Sequence, residues 1–151
     1  MAKYSTESIR TIALVGHTGA GKTTLAEALL AKSGAIPAAG SVERGSTVCD
    51  FDPLEKEYRH SLNSAIVNFA WKGTHVHLID TPGSPDFMGQ AVGALAAVET
   101  AAVVVNAETG IQLATDRMLK WAAKRGLCRM IVVNRIDAEN VDLPELLGRI
   151  Q

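Results

Sequence analysis

Short apolar runs and amphipathic stretches alternate along the chain. Apolar runs of strand length occupy residues 10–16, 65–71, 75–79, 100–107 and 128–134. The last two runs are continuously apolar, which is typical of strands covered on both faces, so we expect both to be buried. Lys72, Gly73 and Thr74 separate the second and third runs and predict a hairpin turn between them.

Three stretches have helical character. Residues 22–32 have apolar positions at helical spacing with Gly34 as a stop, residues 112–125 are amphipathic and end at Gly126, and residues 142–150 are predicted to form the last helix. Strands that alternate with helices predict an α/β domain with a mostly parallel sheet and helices on both faces. Ligands of such sheets bind in the loops after the carboxyl ends of the strands, so functional motifs are expected there.

The composition indicates one domain with a substantial core. Of 151 residues, 47% are hydrophobic and 21% charged, and a net charge of -1 gives no basic excess that would indicate DNA binding. Glu99 and Thr100 interrupt the apolar region 91–107, which excludes it as a membrane span. Cys49 and Cys128 lie far apart and are expected to be free thiols. We expect a soluble, cytoplasmic protein.

The segment GHTGAGKT, residues 16–23, matches the phosphate-loop pattern G-x-x-x-x-G-K-S/T between a predicted strand and a predicted helix. Its glycines let backbone N–H groups turn inward around phosphate oxygens, and the positive end of the helix dipole favours the anion. Lys22 supplies a charge for the β and γ phosphates, and the Thr23 hydroxyl is placed to ligate Mg²⁺. The residues predicted to contact nucleotide here are Gly16, His17, Gly19, Ala20, Gly21, Lys22, Thr23 and Thr24.

The segment NRID, residues 134–137, follows the last predicted strand. Asp137 can accept two hydrogen bonds from a guanine edge, which adenine cannot donate in that geometry. Asn134 can tie this loop to the phosphate loop, and the stem of Arg135 can lie across the base. Such a tetrapeptide is common in turns, but its place after a buried strand and downstream of a phosphate loop makes it a candidate base-binding motif.

The motifs GHTGAGKTT, DTPGSPDF and NRID, in this order, resemble the nucleotide motifs of translational GTPases, and of elongation factor G most closely. The resemblance covers nearly the whole chain, and GIQ at 110–112 is similar to the family's GVQ. The stretch from Ser33 to Asp80 matches the family pattern without a gap. The identical positions in it are Gly34, Gly40, Val42, Gly45, Asp50, Glu55, Glu57, Ala65 and Trp71.

This resemblance implies a P-loop NTPase of the Ras-like G-domain type that binds GTP or GDP with Mg²⁺ and acts with the ribosome. The irregular stretch 33–62, too long for an ordinary loop, would be the first switch, and 80–90 the second. Ser61 falls where the family has its switch threonine, so Thr23, Ser61 and Asp80 would be the metal residues. The backbone of Gly83 would sense the γ phosphate.

Four positions depart from the elongation factor G pattern. Ser84 replaces the histidine that orients the attacking water in that family, and serine is too short for this task. Arg59 and His60 replace a glycine and an isoleucine ahead of the switch hydroxyl, and Gly19 replaces an aspartate. These departures resemble the elongation factor G-like proteins. Since positioning groups contribute about 10²–10⁴ in rate, slow hydrolysis is expected.

Several interpretations stay open. Ser84 and His60 are the candidate catalytic residues, and His60 could position water in a fully active, ribosome-stimulated GTPase. A P-loop ATPase or kinase of another class is the third interpretation, which NRID argues against. The family's G domain continues beyond residue 151, so we expect 1–151 to be part of a G domain, truncated before the last strand. The strand at 128–134 would then have an open edge, and the base pocket would lack a wall or bind nothing.

Overall fold

The structure is a computed structural model that describes residues 4–139 and 141–150. Residues 1–3, 140 and 151, which belong to the predicted domain, lie outside the described residues. The strands are β1 (Ile9–Val15), β2 (Ala65–Trp71), β3 (Thr74–Asp80), β4 (Thr100–Asn106) and β5 (Cys128–Asn134). The α-helices of the described part are α1 (Lys22–Ser33), α2 (Pro53–Tyr58), α3 (Met88–Leu95), α4 (Leu113–Lys124) and α5 (Leu143–Ile150).

One sheet contains the strands in the order β2-β3-β1-β4-β5. β1 is parallel to β3 and β4, and β4 is parallel to β5, whereas β2 is antiparallel to β3. Lys72 and Gly73 have φ of 47° and 82°, the left-handed conformations that a tight hairpin turn requires. The predicted mostly parallel α/β sheet with one hairpin is confirmed. Because β1 lies between β3 and β4, the loop after β1 opens at the centre of the sheet, where such folds bind ligands.

Helices cover both faces of the sheet, as predicted. Alternate residues of β1 point to opposite faces. Ala13 and Val15 are fully buried in a cluster with α3 and α4, and Leu14 is buried in a second cluster with α1. The two clusters hold the carboxyl end of β1 rigidly between the helices, so the loop that follows starts from a fixed position.

The predicted helices at 22–32, 112–125 and 142–150 are confirmed as α1, α4 and α5. The predicted stops have left-handed backbone: Gly34, with φ of 78°, directly follows α1, and Gly126, with φ of 68°, follows α4 after Arg125. A left-handed glycine ends a helix at low cost because it has no Cβ to clash with the backbone.

The prediction that 128–134 is covered on both faces is wrong. β5 lies at the edge of the sheet, with Met130 47% and Ile131 36% exposed. The run of β4 is buried from Ala101 to Asn106, so the two similar apolar runs differ in position. A continuous apolar run indicates that a strand could be buried on both faces. Whether it is buried depends on its position in the sheet, which the run does not show.

Two helices were not predicted. α2 lies within the irregular stretch 33–62, where Asp52 caps it by accepting a hydrogen bond from the backbone N–H of Leu54 at 2.9 Å. The segment Asp52–Glu55 has an acidic N-cap, Pro53 at the first position and a glutamate three residues on, a signature that was readable in the sequence. α3 contains two glycines, Gly89 and Gly93, which weaken its helical pattern.

None of the described helices is both long and apolar enough to cross a membrane. Cys49 is a buried free thiol and Cys128 an exposed one, as predicted from their spacing.

Candidate nucleotide-binding site

The phosphate loop, residues 16–21, joins β1 to α1 at the centre of the sheet and depends on two close approaches. A Cβ on Gly16, whose φ is 139°, would collide with the carbonyl oxygen of Val104. A Cβ on Gly21, whose φ is 88°, would collide with the side-chain amide of Asn134. The loop therefore packs directly on β4 and on the end of β5, and glycine is needed at both contacts.

Lys22 is the first residue of α1 and is only 6% exposed. Its Nζ donates hydrogen bonds to the carbonyl oxygens of Gly16 at 3.0 Å and His17 at 2.9 Å. Burial lowers the pKa of Lys22 to about 8, against the opposing effect of the Asp80 charge. Desolvation that outweighs the nearby Asp80 charge leaves Lys22 suited to bind an anion, which would supply the charge that solvent does not.

Three predicted metal residues are brought together beside Lys22. Thr23 Oγ1 donates to Asp80 Oδ2 at 2.6 Å and lies 3.2 Å from Ser61 Oγ, which itself donates to Asp50 Oδ1 at 2.7 Å. Each hydroxyl has a single proton, and each directs it to a carboxylate, the stronger acceptor. The lone pairs of Thr23 and Ser61 therefore face each other, an arrangement that a cation would stabilise.

Asp80 ends β3 and is 1% exposed. Its Oδ1 is buried without a hydrogen-bond partner among the described residues. Desolvation raises the pKa of Asp80 to about 6, although the hydrogen bond from Thr23 and the charge of Lys22 both lower it. A buried carboxylate oxygen without a hydrogen-bond partner is a group that a cation could satisfy, so Asp80 fits the predicted metal site.

Asp50 belongs to this cluster, although the sequence assigned it no role. It is 2% exposed, and its second oxygen accepts a hydrogen bond from Thr47 Oγ1 at 2.8 Å. No group of three or more His, Cys, Asp or Glu side chains that could hold a metal ion is found in the described part of the chain. Two carboxylates and two hydroxyls form an all-oxygen donor set, which fits a hard divalent cation such as Mg²⁺.

Glu27 of α1 holds the first half of the predicted first switch in place. This side chain is fully buried, and it accepts hydrogen bonds from the backbone N–H groups of Gly40 at 2.9 Å, Val48 at 2.6 Å and Cys49 at 3.3 Å. A carboxylate surrounded by backbone donors can be buried without a counter-ion. The contact brings residues 40–49 against α1 and thereby places Asp50.

Glu55 of α2 holds the second half of the predicted first switch in place. It is 1% exposed, and its Oε1 accepts hydrogen bonds from the backbone N–H groups of Leu62 at 2.9 Å and Asn63 at 3.0 Å. Its Oε2 accepts from the N–H of Asp52 at 2.9 Å and completes the helix cap. These contacts turn the chain after α2 back toward α1 and place Ser61 beside Thr23.

The two candidate catalytic residues lie in different environments. His60 is exposed and lines the cavity beside the phosphate loop. Ser84 is half-buried before the turn Pro85–Phe87, where its carbonyl accepts from the N–H of Phe87 at 3.1 Å, and it is not among the residues that line the cavity. Gly83 packs so tightly on the phosphate loop that a Cβ would collide with Lys22 Nζ.

The residues of the predicted base-binding motif differ in how firmly they are fixed. Asn134 Nδ2 donates to the carbonyl oxygen of Ala20 at 2.9 Å, the predicted link to the phosphate loop. Arg135 has a left-handed φ of 58° and lines the cavity. Asp137 is exposed and is not among the residues lining the cavity.

A cavity of about 490 Å³ connects these elements. Its lining includes Lys22, residues of both predicted switch segments, and Arg135 of the base-binding motif. The sequence-predicted residues among its lining are Gly19, Gly21, Lys22, Thr23, Thr24, His60, Ser61, Gly83 and Arg135. Four other predicted residues are not in the lining but contact residues next to it, as described above: Gly16, His17, Ala20 and Asn134.

Comparison with known proteins agrees with this arrangement. The profile of the elongation factor Tu GTP binding domain matches residues 7–151. The tetracycline resistance protein TetM from transposon Tn1545 of Enterococcus faecalis is 39% identical over 87% of this chain, and an elongation factor G-like protein of Mycobacterium tuberculosis is 36% identical over 95%. A crystal structure from Thermus thermophilus superposes with a TM-score of 0.91 and 44% identity over 95% of the chain.

The matched segment is a minor part of each of these proteins. It spans 21% of the TetM protein, 20% of the elongation factor G-like protein and 22% of the Thermus thermophilus chain, or about a fifth of their length. The resemblance to translational GTPases and to elongation factor G-like proteins, predicted from three motifs, is confirmed. The chain belongs to the family of the elongation factor Tu GTP binding domain.

Proposed function

We propose that the chain is the guanine-nucleotide switch of an elongation factor G-like protein and binds GTP or GDP with Mg²⁺ in the cavity above Lys22. The observation that carries this proposal is the convergence of Thr23, Ser61 and Asp80 beside a buried lysine. Thr23 and Ser61 lie 38 residues apart in sequence. Their contact requires the whole first switch to fold onto the phosphate loop, which a coincidental glycine-rich turn does not explain.

Each part of the site has a role in binding. Lys22 and the N–H groups of the phosphate loop bind the phosphates, and Thr24 contacts the first of them. Thr23, Ser61 and Asp80 would hold Mg²⁺, which would neutralise phosphate charge. The N–H of Gly83 senses the γ phosphate, so residues 33–62 and 80–90 differ between the GTP and GDP states.

The base side supplies the guanine preference. Asp137 accepts the hydrogen bonds that guanine donates, Asn134 fixes the loop, and Arg135 covers the base. The decisive experiment is a competition assay with labelled GDP and the full chain in Mg²⁺. We expect GTP to displace the label at concentrations at which ATP does not. Equal displacement by ATP would contradict the guanine assignment and favour an ATPase or kinase.

Hydrolysis is proposed to be slow, because Ser84 lacks the reach of an imidazole and does not line the cavity. A second candidate, an active GTPase that positions water with His60, is favoured by the place of that ring in the cavity wall. Single-turnover GTP hydrolysis with ribosomes separates the two. Acceleration by Ser84→His supports the first proposal, whereas a fast wild-type rate that His60→Ala abolishes supports the second.

The proposed partner is the ribosome, and the proposed location is the cytoplasm. The family match and the similarity to an elongation factor G-like protein support both proposals. Ribosome-stimulated GTP hydrolysis is the measurement that tests the partner.

A further inference from the structure

Arg59 has a backbone conformation that its side chain does not favour. It follows α2 as the C-cap residue, with φ of 58° and ψ of 34°. Left-handed backbone is disfavoured for residues with a Cβ, and such outliers concentrate at functional sites. Glycine would adopt this conformation at lower cost and stands here in the elongation factor G pattern. The chain therefore retains a less favourable residue where a better one would fit.

Arg59 is an exposed residue of the cavity that is proposed to hold the phosphates. It lines the cavity together with Lys22, Thr23 and Gly83. Across residues 4–139 and 141–150, its guanidinium has no salt bridge, and none of the side-chain hydrogen bonds involves it. Asp50, an acid of the same cavity wall, already accepts hydrogen bonds from Ser61 and Thr47. A guanidinium without a carboxylate partner, beside a phosphate loop, is suited to bidentate binding of a phosphate.

The position of Arg59 in the chain indicates which phosphate it would contact. It comes two residues before Ser61, the switch hydroxyl that approaches Thr23. In P-loop proteins the metal bridges the β and γ phosphates, and the switch segments approach from the γ side. Lys22, the other basic residue predicted to bind phosphate, belongs to α1 and donates to the carbonyl oxygens of Gly16 and His17 in the phosphate loop. Because Arg59 lies in the same segment as Ser61, we expect it to approach the nucleotide from the side of the terminal phosphate.

We propose that Arg59 contacts the terminal phosphate and makes the chain prefer GTP over GDP. This inference rests on the proposed function, since it requires that guanine nucleotide binds in the cavity. It assigns a specificity-determining role to the residue that replaces a glycine, and it explains why the strained backbone is tolerated.

The test compares Arg59→Gly, Arg59→Ala and Arg59→Lys in the full chain. Dissociation constants are measured in Mg²⁺ for GDP and for a GTP analogue with a β,γ-imido bridge. Arg59→Gly and Arg59→Ala should each weaken the analogue about ten-fold and leave GDP within about two-fold, because a hydrogen bond to a charged group contributes about this much. Arg59→Lys should lose less, since it retains the charge.

Thermal unfolding distinguishes the effect of losing the guanidinium from the effect of relieving backbone strain at position 59. Arg59→Gly should retain or raise the melting temperature, whereas Arg59→Ala should not raise it, because only glycine relieves the left-handed strain. Equal loss of analogue binding in these two variants then assigns the effect to the guanidinium. Arg125→Gly, at the exposed C-cap of α4, is the matched control and should change neither affinity.

Two results would overturn the inference. An unchanged ratio of analogue to GDP affinity in Arg59→Gly and Arg59→Ala would remove the terminal-phosphate contact. An equal loss for both nucleotides would make Arg59 a general contributor to binding or folding. Failure of the wild-type chain to bind either nucleotide would instead refute the proposed function, so the two failures are distinguishable.

Discussion

The two ends of the cavity differ in how firmly the protein holds them. At the phosphate end Lys22, Asp50 and Asp80 are 6%, 2% and 1% exposed, and each makes at least one hydrogen bond shorter than about 3 Å. At the base end Ile136 is 59% exposed, and Asp137 is exposed as well. Among the described residues, the side-chain hydrogen bond that ties this loop to the phosphate loop comes from the amide of Asn134.

This difference indicates how much each end of the cavity should contribute to nucleotide affinity and to selectivity for the base. Groups that are already oriented and desolvated lose little freedom on binding, so the phosphate end should supply most of the affinity. Hydrogen bonds in a solvated site compete with water and discriminate less than those in an enclosed one. We therefore expect strong dependence on the phosphate end and a modest preference for the base.

Lys22→Ala should cause the largest loss of nucleotide affinity. We expect the affinity for GDP and GTP to fall about 100-fold or more, because a buried charge-assisted contact to phosphate contributes up to about 3 kcal/mol. Isothermal titration calorimetry in Mg²⁺ measures the loss, and Lys32→Ala, an exposed lysine near the end of α1, is the control. Binding retained within ten-fold would show that this cavity is not the nucleotide site.

Glu27→Ala should release the first switch from α1. Three backbone N–H groups would lose their acceptor, so we expect the free energy of unfolding to fall by about 3 kcal/mol. Hydrogen exchange at Val48 should accelerate, since its N–H makes the shortest of the three contacts. Glu57→Ala, an exposed glutamate of α2, is the matched control. Unchanged protection at Val48 would show that residues 40–49 are held by other contacts.

Asp80→Asn should stabilise the nucleotide-free fold. The folded-state pKa of Asp80, about 6, lies above its ordinary value of 3.8. Between these values the folded state binds more protons than the unfolded state, so this group lowers the free energy of unfolding as the pH rises through the window. Removing the charge should add about 3 kcal/mol at pH 7, where the penalty is fully expressed.

Chemical denaturation in a chelator at pH 5 and pH 7 tests this effect. The variant should lose the part of the pH dependence that Asp80 contributes, while Mg²⁺-dependent nucleotide binding weakens. Destabilisation at pH 7 would mean instead that the hydrogen bond from Thr23 outweighs the desolvation of Asp80.

The same contrast explains what the sequence could predict. The phosphate loop and NRID are local patterns in which spacing alone implies chemistry, so Lys22, Thr23 and Asn134 could be named from the order of residues. Asp50 could not, because its place beside Ser61 exists only after Glu27 and Glu55 have folded the loop between α1 and β2. These buried glutamates bind backbone N–H groups, and a sequence does not show which N–H groups a carboxylate will meet.

Asp137→Asn should change nucleotide affinity least of these substitutions. It tests most directly whether the base end is more open than the phosphate end. The change replaces one acceptor oxygen with an NH₂ group, so guanine loses one hydrogen bond and meets a donor in its place. In an exposed site we expect the ratio of GDP to ADP affinity to fall only about ten-fold, or about 1.4 kcal/mol, with ADP binding unchanged. Lys22→Ala, by contrast, should weaken both nucleotides equally.

Competition of GDP and ADP for one fluorescent nucleotide measures that ratio, and Glu139→Gln, an exposed neighbour, is the control. A loss of about 10⁴-fold, as in sites that enclose the hydrogen-bonded group, would mean that the base end closes around the nucleotide. No change would mean that Asp137 does not reach the base. Either result contradicts the contrast between a pre-formed phosphate end and an open base end, because that contrast requires a measurable but small preference.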